Sequence, residues 1–82
     1  MRRKTESQAG ACEPLSGLVE RVTFFNGENG FCVLKVKVKS RAGLVTVVGT
    51  APAVTPGEWV EAEGRWVQDR EHGVQFRAET LR

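Results

Sequence analysis

The stretch "GFCVLKVKVKS", Gly30 to Ser40, alternates apolar residues and lysines with a period of two. Successive side chains of a β-strand point to opposite faces, so the apolar residues are expected on one face and the lysines on the other. The apolar set is Leu34, Val36 and Val38, and the lysines are Lys35, Lys37 and Lys39. Helical spacing occurs in no long window of the chain, whereas this alternation recurs. The sequence therefore predicts an all-β fold.

Clusters of Gly, Pro and Asn divide the chain into five predicted strands. These strands cover residues 16–25, 31–40, 44–50, 58–70 and 74–82. In the first strand the apolar phase slips between Val19 and Val22, which predicts a β-bulge near Glu20 and Arg21. The turn "NGENG" (26–30) joins the first two strands as a hairpin, and a third strand completes a meander.

A flat sheet of five strands would leave an apolar face uncovered, because no helix is available to pack on it. Closure into a barrel removes this problem. Long, bent first and fourth strands with an initial three-strand meander favour an OB-fold over an SH3-like barrel. The link from residue 50 to residue 58 is too short for the helix that usually caps an OB barrel. We therefore predict a small five-stranded OB-like barrel over residues 15–82, after a disordered leader at residues 1–14.

The chain carries no pattern typical of an enzyme or a metal site. It lacks a phosphate-binding loop, and the spacing of Cys12, Cys32 and the single His72 matches no metal-ligand motif. Glu61 and Glu63 share a solvent face of the fourth strand, so ordinary structural roles explain them. We predict no catalytic residue, no cofactor, no metal and no small-molecule substrate for this chain. Its basic start and short apolar runs resemble neither a signal peptide nor a membrane span, which predicts a cytoplasmic location.

The net charge is only +2, but the charges are unevenly distributed. Residues 31–55 contain four cations and no acid, namely Lys35, Lys37, Lys39 and Arg41. The pattern alone allows two interpretations of these cations. They form either the solvated face of a strand or a phosphate-binding surface on the second and third strands, where OB-folds bind nucleic acid. Single-strand binding also needs exposed rings. Phe31, Trp59 and Trp66 are the candidates, and we expect the core to bury them.

The segments "FFNGENGFCVLKVKV" and "GEWVEAEGRWVQDREHGVQF" carry a resemblance to a known family. They resemble the N-terminal OB-like domain of bacterial RecD-like ATP-dependent DNA helicases, the exodeoxyribonuclease V alpha-subunit family. Shared features include the Asn-rich turn before Gly30 and the closing Gly73, Gln75 and Phe76. The resemblance covers residues 15–80, nearly the whole predicted barrel.

The resemblance implies a non-catalytic accessory domain of a motor that couples ATP hydrolysis to 5′ to 3′ unwinding in DNA repair and recombination. Such a domain would either assist DNA binding or dock on the motor core. ATP and Mg²⁺ are implied for that motor only, and the implied partners are single-stranded DNA and the motor domains of the same polypeptide. The candidate phosphate contacts are Lys35, Lys37, Lys39 and Arg41, followed by Arg65 and Arg77. A protein-interaction module and a free-standing single-strand binder are the alternatives.

Overall fold

The structure, a computed structural model, describes residues 12–82. It contains β1 (Glu13–Phe25), β2 (Phe31–Lys37), β3 (Leu44–Thr50), β4 (Trp59–Asp69) and β5 (Gly73–Leu81). The all-β prediction is confirmed, since residues 12–82 form no helix. It follows that these residues contain no helix that is long and apolar enough to cross a membrane. β1 begins before the predicted start at residue 16, and β2 ends at Lys37 rather than at residue 40. Most of the predicted leader, residues 1–11, lies outside the described residues.

The five strands close into a barrel in the order β1-β2-β3-β5-β4, and β4 returns to pair with β1. All pairs are antiparallel except β3 with β5. Closure requires β1 to serve two neighbours: residues 13–18 pair with β4, and residues 18–25 pair with β2. The predicted small five-stranded OB-like barrel is confirmed, and the link from residue 51 to residue 58 contains no helix.

β1 bends because its register against β2 shifts twice. The first shift, between Val19 and Arg21, is the predicted bulge. The second, between Val22 and Phe24, was not expected from the sequence. There the Thr23 hydroxyl donates a hydrogen bond to the Val33 carbonyl oxygen at 3.0 Å. Bulges increase local bend and twist, and they allow one strand to pass from one side of the barrel to the other.

The barrel interior holds one apolar cluster. Leu34, Val36 and Val38 belong to it with at most 9% exposure, as the alternation in β2 predicts. Phe76 is fully buried, and the ring of Trp66 packs edge-on against it with centroids 5.1 Å apart. The core therefore uses far fewer aromatic rings than we expected from the sequence.

Candidate nucleic-acid interface

The outward side chains of β1, β2 and β3 lie in three rows set by the strand register. The first row is Phe24, Val33 and Val48, and it continues to Arg77 on β5. The second row is Arg21, Lys35 and Thr46, and the third is Leu18, Lys37 and Leu44, with Trp59 of β4 opposite Leu18. Neighbouring rows are two residues, about 7 Å, apart along β2 and β3, and three residues apart along β1, where the two bulges add a residue each. We call this surface, together with Phe31 beside the first row, the outer face.

Two phenylalanine rings are exposed at one end of the outer face. Phe24 is 51% and Phe31 is 40% exposed, and their ring centroids are 5.9 Å apart. The expectation that the core buries the rings is therefore wrong for Phe31, and it is also wrong for Trp59, which is 56% exposed. Sequence reasoning missed Phe24 because, at two residues from Val22, it has the phase of the core. The unexpected second bulge reverses that phase and places Phe24 opposite the outward Val33.

The middle row places two cations side by side. Arg21 on β1 lies opposite Lys35 on β2, and the Lys35 ammonium donates a hydrogen bond to the Thr46 hydroxyl at 2.7 Å. Like charges directly opposite each other on a sheet are mutually destabilising. Neither cation forms a salt bridge with a carboxylate in the described part of the chain, and β2 and β3 contain no acid. An anion bound here would relieve the repulsion.

The loop at residues 38–43 holds two of the predicted contacts. Lys37 is exposed in β2, as predicted, but Lys39 lies in this loop because the strand has already ended. Arg41 reaches across the end of the barrel, and its guanidinium carbon lies 4.1 Å from the ring centroid of Trp66. The stacked guanidinium keeps its charge and its outer N–H groups while covering the indole.

Arg65 and Arg77 lie opposite each other on β4 and β5, but their surroundings differ. A salt bridge of 2.5 Å joins Arg65 to Glu79, so its charge is compensated. Arg77 is exposed, and the parallel pairing with β3 brings it next to Val48 of the first row. The structure thus gathers Lys35, Lys37 and Arg77 on one surface with Arg21, which sequence reasoning did not propose. Because a bulge was predicted at Glu20 and Arg21, alternation along the strand does not determine which face the Arg21 side chain lies on.

The turn between β4 and β5 is stabilised by Asp69. Its carboxylate accepts hydrogen bonds from the backbone N–H groups of His72 and Glu71 at 2.9 and 2.8 Å, and these bonds lower the pKa of Asp69. The exposed His72 ring lies 3.2 Å from the same oxygen. Across residues 12–82, no three metal-ligating side chains come together to form a metal site. The Asp69 and His72 contacts are therefore those of a turn.

Comparison with known proteins bears on the fold and on the family of the chain. A search of curated proteins finds no match. A family model described as the OB-fold domain of the ATP-dependent DNA helicase YrrC matches residues 13–82, from the first residue of β1 to the end of the chain. This match confirms the resemblance to the OB domain of RecD-like helicases. The chain belongs to the family of OB-fold domains of the ATP-dependent DNA helicase YrrC.

Proposed function

We propose that the chain is a non-catalytic accessory domain of a RecD-like helicase and that its outer face binds single-stranded DNA. The observation that supports this is the exposed Phe24–Phe31 pair beside the uncompensated Arg21–Lys35 pair. Bases stack on exposed rings with about 1–3 kcal/mol each, and cations bind the backbone phosphates. The face of strands two and three is also where OB-folds bind nucleic acid.

The remaining chemistry of the proposed helicase is assigned to its motor domains. They would bind ATP and Mg²⁺ and drive 5′ to 3′ unwinding, since this chain contains no phosphate-binding loop. The accessory domain would hold the unwound strand near the motor. A role in DNA repair and recombination, the kinship with the exodeoxyribonuclease V alpha subunit and a cytoplasmic location belong to the same proposal.

Binding of a fluorescent oligothymidylate, followed by anisotropy at several salt concentrations, tests the proposal. Four phosphate contacts, from Arg21, Lys35, Lys37 and Arg77, predict a slope of about −3 for log affinity against log salt. The double variant Phe24→Ala/Phe31→Ala is expected to bind at least about fivefold more weakly, because it loses the stacking rings. Arg21→Glu/Lys37→Glu should abolish binding, with an unchanged circular dichroism spectrum since both side chains are exposed.

Two matched controls lie away from the outer face. Arg82→Glu reverses an exposed charge at the end of the chain, and Val74→Ala trims an apolar side chain that is 53% exposed. Both variants should bind like the parent chain. Absence of salt-dependent binding would contradict the proposal. Docking on the motor or on a partner protein would then be the better account of this domain.

A further inference from the structure

A cleft of about 540 Å³ opens at the end of the barrel next to the third row of the outer face. The first residues of β1 form one wall, residues 38–41 form the other, and Trp59 and Trp66 contribute their rings. Its volume lies in the range of sites that hold small organic groups, about 300–1,000 Å³. Of the residues of the outer face, Trp59 alone also lines this cleft.

The strand register explains why the cleft exists. β1 pairs with β2 only from Leu18 onward, whereas residues 13–17 pair with β4 alone. β2 ends at Lys37, opposite Leu18, and the chain then turns away as the loop at residues 38–43. The two segments separate at this point, and the gap between them is not bridged by a strand ladder. The cleft is thus a consequence of the way β1 serves two neighbours.

The lining of the cleft combines an exposed ring with positive charge. Trp59 is 56% exposed, the largest exposure of any aromatic side chain in the described part of the chain. Lys39 and Arg41 lie on the loop wall, and Arg41 is already held over Trp66. Glu13 and Ser16 on the opposite wall offer hydrogen-bonding groups. These features match the parts of a nucleotide. The open ring would stack on the base, the two cations would bind the phosphate, and the polar wall would form hydrogen bonds with the edge of the base.

The cleft is also continuous with the proposed DNA path. Lys37, the cation of the third row, lies between Leu18 and Leu44, and Leu18 is opposite Trp59. From Val33 to Lys37 the path along β2 is about 13 Å. A single DNA strand whose bases stack on Phe24 and Phe31 and whose phosphates follow the lysines of β2 would therefore reach the mouth of the cleft.

From this geometry we infer that the cleft binds an unpaired nucleotide, with its base stacked on Trp59 and its phosphate held by Lys39 and Arg41. The inference rests on the proposed function and extends the DNA path beyond the outer face. It makes Trp59 a binding residue. The whole DNA-binding site is then longer than a short oligonucleotide bound at the phenylalanine pair.

Tryptophan fluorescence and binding to two lengths of oligothymidylate test this inference. An oligomer of about twelve nucleotides should quench Trp59, and Trp59→Ala should weaken its binding about fivefold or more, while an oligomer of about four nucleotides should be unaffected by the substitution. Trp59→Phe keeps a ring, so it should retain most of the affinity but lose the quenching. Trp66 remains in both variants, and because its ring also lines the cleft, any quenching left in them measures the share of Trp66. Quenching by thymidine monophosphate would also support the inference, because a single nucleotide would then occupy the cleft.

The outcomes separate this inference from the proposed function. If the longer oligomer binds in a Phe24- and Phe31-dependent manner without quenching Trp59, the inference is wrong, but DNA binding by the outer face is retained. If Phe24→Ala/Phe31→Ala is quenched with the same affinity as the parent chain, the cleft is retained as a binding site and the role of the phenylalanine pair is wrong. Quenching by an oligoglutamate peptide, but by neither nucleotide probe, would overturn the inference in favour of an acidic protein partner.

Discussion

Cys12 and Cys32 are both free thiols, but their surroundings differ. Cys32 lies in the core with no exposed surface, and burial raises its pKa because the thiolate would lose its hydration. Cys12 is exposed, and its thiol donates a hydrogen bond to the Glu79 carboxylate at 3.4 Å, which raises its pKa as well. At the scale of one residue, exposure therefore decides the reactivity of the two thiols.

We predict that a thiol reagent such as dithionitrobenzoate labels one cysteine of the native chain and both cysteines after unfolding in urea. The reactive species is the thiolate, so labelling of Cys12 should be slow at neutral pH and should accelerate as the pH rises. Cys12→Ser should remove the native signal entirely. Rapid native labelling of that variant would show that Cys32 is not enclosed by the barrel.

At the scale of the strands, the pairing of β4 with β5 depends on Gly64. The register of this pair shifts between Glu63 and Gly64. A Cβ atom at Gly64 would lie 2.0 Å from the Arg77 carbonyl oxygen, far inside van der Waals contact. Backbone, rather than a flexible side chain, occupies that space. The two strands approach this closely because residue 64 has no side chain.

Gly64→Ala should therefore lower the free energy of unfolding by about 1–3 kcal/mol, since the strands must separate to admit the methyl group. Gly27→Ala is the matched control, because its added Cβ would meet nothing closer than the Phe25 ring at 4.0 Å. That variant should stay within about 0.5 kcal/mol of the parent. Urea unfolding followed by circular dichroism measures both, and equal losses would contradict the close approach.

At the scale of the whole molecule, every strand contributes to one core and the barrel closes on itself. The pairing of β3 with β5 joins residues far apart in the chain, so no part of the barrel is complete without the rest. Such a domain is expected to unfold in a single cooperative step. Trp66 reports on this step because its ring packs against the core.

In the variant Trp59→Phe, where Trp66 is the remaining tryptophan, fluorescence and far-ultraviolet circular dichroism should give coincident urea unfolding curves. The physical reason is that the core around Trp66 and the strand ladders disappear together. Separate midpoints would show that the barrel end covered by Arg41 opens before the strands, and the picture of a single cooperative unit would be wrong.

Much of the barrel could be predicted because local pattern decides it. Alternation in β2 identified Leu34 and Val36 as core residues, and the slip after Val19 located the first bulge. The parallel pairing of β3 with β5 has no local signal, since it joins segments that only the closed barrel brings together. The candidate site was predicted in part: Lys35 and Lys37 lie on the outward face, whereas Lys39 lies in a loop.

The residues by themselves determined an all-β chain, the inward and outward faces of its strands and the cluster of cations without acids. Only the tertiary structure decided that Phe24 faces solvent, that Arg21 lies opposite Lys35 and that a cleft opens beside Trp59. The reason is that a bulge shifts side-chain phase by one residue. Beyond its two bulges, alternation along β1 no longer states which way a side chain points, and the cleft opens where β1 passes from β4 to β2.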